Sequence, residues 1–254
     1  MAVHAVTTKG QMVEPLPSAG ILISVTAGVT RRVGRVLGVV LAALAAGHVV
    51  AMLWSDALGN LSVLNLVNEV SVGTWVSTVA LLACAVLSTC AAMLARRERS
   101  RWVANWWLLA GVFALMSLDE VAAIHERFST PVRRTLGADA DFLYYAWVIP
   151  ALLFVAVFFA VQVRFLRNLD AATRRGLVLA GLAFVVGAAG LEMVEAALET
   201  DGLQHTVGYL WLVLVEELME TGAIMWAGCI LLAHLVRRFG QPVITLEPAI
   251  RPAG

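Results

Sequence analysis

The sequence predicts an all-α, polytopic membrane bundle of about six transmembrane helices, with both termini cytoplasmic. Three observations carry that prediction. The 254-residue chain is 60% hydrophobic and only 14% charged, against about 45–50% and about 25% in a soluble domain, and its mean hydropathy is +0.84. Its apolar residues gather into segments near the ~20 residues that a span needs. Its arginines fall in every second loop. Peptide groups in lipid must be satisfied within their own segment, so these segments are helices.

The spans predicted, in order, are 33–54, 72–94, 102–127, 142–164, 176–199 and 206–236. The last is long enough to project past the bilayer, and Pro150 is expected to kink the fourth. Residues 1–30 read as an N-terminal cytoplasmic segment, poorly ordered or interfacial, 31–238 as the membrane domain and 239–254 as a cytoplasmic tail. No basic stretch followed by an apolar core marks a cleavable signal peptide. Cys84, Cys90 and Cys229 lie inside apolar runs and read as small core residues. Net charge is zero, so there is no basic footprint for nucleic acid.

Orientation follows from the basic residues. Arg31, Arg32 and Arg35 precede the first span, Arg96, Arg97, Arg99 and Arg101 join the second to the third, Arg164, Arg167, Arg174 and Arg175 join the fourth to the fifth, and Arg237 and Arg238 follow the sixth. All but Arg127, Arg133 and Arg134 of the 18 basic residues then share one side. That side is expected to be the cytoplasm of a bacterial-type plasma membrane. Trp54, Trp75, Tyr144, Tyr145, Trp147, Tyr209 and Trp211 mark the outer interface, and Trp102, Trp106 and Trp107 the inner one.

Nine of the 18 acids sit in three spans: Asp119, Glu120 and Glu126 in the third, Glu192, Glu195 and Glu199 in the fifth, and Glu216, Glu217 and Glu220 in the sixth. Helices three and five run outward and carry their acids late. Helix six runs inward and carries its own roughly 15–20 Å from its start at ~1.5 Å per residue. All three sets fall near the midplane or in the outer half, where His48 of the first span also lies. At about 100° per residue, Glu192, Glu195 and Glu199 share a face, as do Glu216, Glu217 and Glu220. His125 and Glu120 flank the Asp119–Glu126 face on opposite sides. The reading takes His125 into the cluster and leaves Glu120 outside it. Glu126 and Glu199 are equally readable as markers of the water's edge.

An ionised side chain at the bilayer centre costs about 2.5–3.5 kcal/mol on insertion scales. Close carboxylates also raise one another's pKa, so they require shared protons, basic partners or bound cations. Basic partners are scarce here. Carboxylates with one or two imidazoles suit iron or manganese better than zinc. The predicted metal ligands are Asp119, His125, Glu126, Glu192, Glu195, Glu216, Glu217, Glu220 and His48.

In ligand inventory the chain resembles the ferritin-like di-iron carboxylate proteins, in which acids and histidines project inward from four helices. It departs from them in having no Glu-x-x-His; its pairs are Glu192-x-x-Glu195 and Glu217-x-x-Glu220. Those pairs resemble the Glu-x-x-Glu of high-affinity iron permeases, without the basic residue before the first Glu, since Leu191 and Glu216 stand there. Glu216-Glu217 resembles the paired acids of CAAX-type intramembrane proteases, without the Arg that follows in that family.

Three functions remain open. The first is a di-iron-like oxidoreductase acting on a lipid-soluble or membrane-proximal substrate, with a hydrolytic variant in which Ser117 is a conceivable nucleophile. The second is a divalent-cation or proton transporter using the Glu-x-x-Glu pairs, with Pro150 and the run Gly187-Ala188-Ala189-Gly190 as hinges or packing surfaces. The third is a sensory or structural subunit with a proton-sharing network. The loop 128–141 is expected to cap the cavity in any of these cases.

Overall fold

The computed structural model describes residues 19–58, 61–68, 70–125, 127 and 147–239. The described residues are helical, with no strand. Helix α1 spans Ala19–Leu58, with non-helical backbone at Trp54, and a single 3-10 turn, Leu61–Leu64, follows. Helix α2 is Val72–Arg97 and α3 is Val103–Ala122. Helix α4 is Val148–Asn168 and α5 is Ala171–Val185. A π-helical segment, Val186–Leu191, continues α5 into α6, Glu192–Thr200. Helix α7, Val207–Phe239, closes the fold.

Five segments are long and apolar enough to cross a membrane: Gly28–Trp54, Val72–Arg97, Val148–Asn168, Ala171–Thr200 and Val207–Arg238. The third predicted span is not among them. Helix α3 carries Asn105, Asp119 and Glu120 within 20 residues, and it stops at Ala122 because Ala123 adopts left-handed backbone, φ 46°. Pro150 does not kink α4. It falls in the first turn, where its missing N–H has no intrahelical acceptor to lose.

The helix ends follow local rules. Ser71 caps α2 through the Thr74 N–H at 3.1 Å, and Asp170 caps α5 through the Thr173 N–H at 3.0 Å. Helix α2 ends with Ser100 N–H on Ala95 O and Arg99 N–H on Arg96 O, a Schellman pattern that puts Arg99 at φ 52°. The end of α6 repeats it, with Gly202 at φ 74° in the left-handed position.

The core lies toward the arginine-rich end. Leu81, Cys84, Ala92, Trp106, Phe165, Ala180, Ile224 and Leu231 are buried together there, from α2, α3, α4, α5 and α7. Trp106 meets Phe165 edge-on at 4.8 Å between ring centroids. Small residues and hydroxyls let the helices approach, as in membrane bundles generally. Ser77 and Thr221 are hydrogen-bonded at 2.7 Å between α2 and α7. The Cys84 thiol reaches Ile224 O at 3.5 Å, and a Cβ on Gly228 would sit 3.4 Å from that sulfur.

At the same end Asp170, Thr173, His234 and Arg237 tie α5 to α7. Thr173 Oγ1 donates to Asp170 at 2.6 Å, and Arg237 donates to Thr173 Oγ1 at 2.8 Å. Burial pushes the Asp170 carboxyl up, but the Thr173 hydroxyl and N–H, with Arg237 and His234, outweigh it and hold the group at about 2.

Helix α4 is anchored differently from the rest. Its Gln162 and Phe165 are buried, with Gln162 in paired hydrogen bonds to Asn105 of α3 at 2.6 and 3.0 Å. Toward its N-terminus, Leu153, Phe154, Val157 and Phe159 are exposed. The space this leaves between α4 and the other helices is the site.

Candidate functional site

A chamber of about 1170 Å³ runs between α4 and the faces of α2, α3, α5, α6 and α7. Eight acids line it: Asp119 and Glu120 from α3, Glu192, Glu195 and Glu199 from α6, and Glu216, Glu217 and Glu220 from α7. No described lining residue is Arg or Lys. The described members of the three predicted acid sets therefore meet in one space.

The π segment aims the α6 set. Such a bulge shifts the helical register, and these bulges recur at functional sites. It also allows close contact with α7: a Cβ on Gly187 would stand 2.8 Å from Glu220 Cγ and 3.6 Å from Glu216 O. Only glycine leaves the Glu220 side chain its room.

Glu195 and Glu216 are buried, and their carboxyls lie close together. Carboxylates only accept, so a hydrogen bond between two such groups needs a proton on one of them. Glu195 Oε1 is buried with no hydrogen-bond partner. Glu220 sits within the fields of Glu217, Glu120, Glu192 and Glu195. Glu192 Oε1 accepts from Trp147 Nε1 at 2.9 Å, and Glu199 accepts from the Tyr209 hydroxyl.

On α3, Asp119 does meet His125, though not along one continuous helix. The left-handed turn at Ala123 folds the chain back, so Asp119 Oδ1 takes the His125 N–H at 2.9 Å and Oδ2 pairs with Nδ1 at 2.8 Å. The His125 ring lies 4.8 Å from the Trp147 ring, centroid to centroid. Glu126 and the loop 128–141 lie outside the described residues.

Three expectations change. His48 is not a ligand: it is fully buried, its Nδ1 accepts from the Leu66 N–H at 3.1 Å, and its Nε2 faces Leu210 O at 3.1 Å. Accepting at Nδ1 fixes the neutral tautomer with the proton on Nε2, which leaves no lone pair for a metal. Ser117 is no nucleophile of the chamber, because its hydroxyl donates to Thr78 O at 3.0 Å. Glu120, set aside on helical angle, lines the chamber beside Asp119.

Trp147, Tyr209 and Gly187 also entered the site unforeseen as site residues. Gly187 was visible only as part of a small-residue run. Among the described residues no three His, Cys, Asp or Glu side chains converge closely enough to hold a metal ion. The acids share a chamber but do not form a ready-made coordination shell.

Fold and site together define a class: an α-helical protein of membrane-spanning type with an acid-lined internal chamber. Within it, the chain belongs to the family described as Domain of unknown function (DUF8692), whose model matches residues 35–234. No curated protein and no solved structure matches the chain.

Proposed function

We propose that this is an integral membrane cation-binding protein whose chamber acids exchange protons for a cation, as a divalent-cation or proton transporter would. One observation carries the reading. Carboxylates from three helices line one chamber without an Arg or Lys on its described lining, and Glu195 Oε1 among them is buried without a hydrogen-bond partner. Such a set is stable only with shared protons or bound cations. In this reading the close Glu195 and Glu216 carboxyls share the proton that the cation displaces.

A di-iron-like oxidoreductase holding iron or manganese is the second reading, favoured by the Asp119–His125 pair on the same chamber, a carboxylate–imidazole arrangement typical of metal sites. It stands second because the described donors do not converge and His48 is committed to backbone partners. By the positive-inside rule the arginine-rich end faces the cytoplasm, with both termini there and the acids in the outer half. A periplasm-dependent reporter that is active at the C-terminus contradicts that orientation.

The test is titration calorimetry on the protein in phosphatidylcholine nanodiscs, with Mn²⁺, ethylammonium and dodecylammonium. Acid-dependent binding of any one of them supports the reading. Binding that is absent for all three, or unchanged in Glu195→Gln/Glu216→Gln, overturns it.

A further inference from the structure

We propose that the ligand of the chamber is an amphipathic cation, a protonated amine on a single long apolar chain. This rests on the cation reading above and adds the shape of the ligand to it.

Size comes first. Small-molecule pockets usually hold about 300–1,000 Å³, and this chamber holds about 1170 Å³. Length agrees. On α4 the lining runs from Pro150 to Leu166, a difference of 16 positions and so roughly 24 Å at ~1.5 Å each. That is most of the ~30 Å hydrocarbon thickness of a bilayer.

Polarity divides along that length. The acids gather at one end, while Phe113, Phe158, Leu177 and Phe184 line the wall toward the arginine-rich end. The one amide there, Gln162, spends both its oxygen and its nitrogen on Asn105. The apolar end therefore asks for nothing but hydrocarbon.

The chemistry of the head follows. A metal ion or a proton needs no apolar wall, and the described donors do not converge on a point. An anionic head meets eight acids and no described Arg or Lys, and the one lining imidazole, His125, is already paired with Asp119. A neutral chain leaves Glu195 Oε1, on a residue only 6% exposed, without a donor. An ammonium brings three N–H donors. These are to be shared among the carboxyls of Glu195, Glu216 and Glu220, which line the same chamber. Side chains of α4 that line the chamber, Phe154 and Phe159, are each 51% exposed, so a chain can lie along that helix.

The experiment compares radiolabelled dodecylammonium with ethylammonium in phosphatidylcholine nanodiscs, subtracting empty discs, with dodecanol as unlabelled competitor. Saturable binding near one dodecylammonium per chain is expected, at least about tenfold tighter than ethylammonium. Dodecanol should not displace it. Gly181→Leu probes the tail alone: Gly181 lines the chamber, and a Cβ at that position would meet nothing within 4 Å. It should weaken dodecylammonium on the order of tenfold and leave ethylammonium unchanged, which also shows that the variant is folded. Ala156→Trp, on the α4 side of the same wall, decides the question if Gly181→Leu loses both ligands.

Ethylammonium binding as tightly as dodecylammonium, or a tail insensitive to both wall variants, overturns the amphiphile and leaves the cation reading standing. Loss of acid-dependent binding for every cation overturns the cation reading itself.

Discussion

His48→Ala separates a structural histidine from a ligand. The imidazole is fully buried between the Leu66 N–H and Leu210 O, at 3.1 Å to each. Removing it orphans the N–H of Leu66, a residue only 5% exposed. An unsatisfied buried donor costs about 1–3 kcal/mol. Leu210 O loses its second partner, and hydrogen bonds in membrane bundles average ~0.6 kcal/mol. The vacated ring volume adds a cavity penalty, for a total of roughly 2–4 kcal/mol. At about 2–4 °C per kcal/mol for a chain near this size, the midpoint should fall by roughly 5–15 °C. The assay is thermal unfolding in detergent, in metal-free buffer, followed by tryptophan fluorescence. Cation binding at a temperature where the variant is folded should be retained. An unchanged midpoint with abolished Mn²⁺ binding refutes the reasoning and returns His48 to the ligand set.

The remaining predictions read stability and cation binding. Gly187→Ala drives a Cβ to within 2.8 Å of Glu220 Cγ, so it should lower stability and cation affinity together. In a Glu220→Ala background its cost to stability should vanish, a coupling that a double-mutant cycle measures directly. Asp170→Ala removes the α5 cap and should cost about 1 kcal/mol in thermal unfolding. The Asp170 carboxyl is held at about 2, below its ordinary 3.8. Its contribution is therefore complete above pH ~4 and lost as pH falls toward ~2, so Asp170→Asn should lower stability above pH ~4 and flatten that acid limb. Arg99→Gly relieves a left-handed residue at φ 52° and should raise stability by roughly 0.5–1 kcal/mol in denaturant titration.

The acid sets were legible because depth in a membrane follows from counting residues. By count Glu192 and Glu195 lie late in the outward-running fifth span and Glu216, Glu217 and Glu220 partway along the inward-running sixth, and all five line one chamber. What counting could not supply was rotation. A uniform 100° step placed Glu120 on the wrong side. Helix α3 was carried through to 127, whereas a single left-handed residue, Ala123, ends it and turns His125 back onto Asp119. Alanine gives no sequence warning of that conformation. The π segment is equally silent, because an extra residue in a helical turn leaves no mark in an apolar run. His48 illustrates a different limit: a buried imidazole between two backbone groups and a metal-bound one look alike until the partners are known.

The hydrophobic fourth span was easily found, but its separation from the bundle was not. Apolar residues on every face of α4 fit lipid and protein equally well, so the chamber beside it emerges only when Gln162 and Phe165 are seen as its buried anchors. The arginine-rich end reads more simply, since arginines, an N-cap aspartate and a tryptophan cluster each follow from local rules.

The most direct test of the central claim is proton release on cation binding. Calorimetric titration of the nanodisc protein with dodecylammonium, repeated in buffers of different ionisation enthalpy, measures the protons released. The account predicts release of about one proton per cation bound, from the Glu195–Glu216 pair, and its disappearance in Glu195→Gln/Glu216→Gln. Binding without proton release, or release that survives the double substitution, contradicts it.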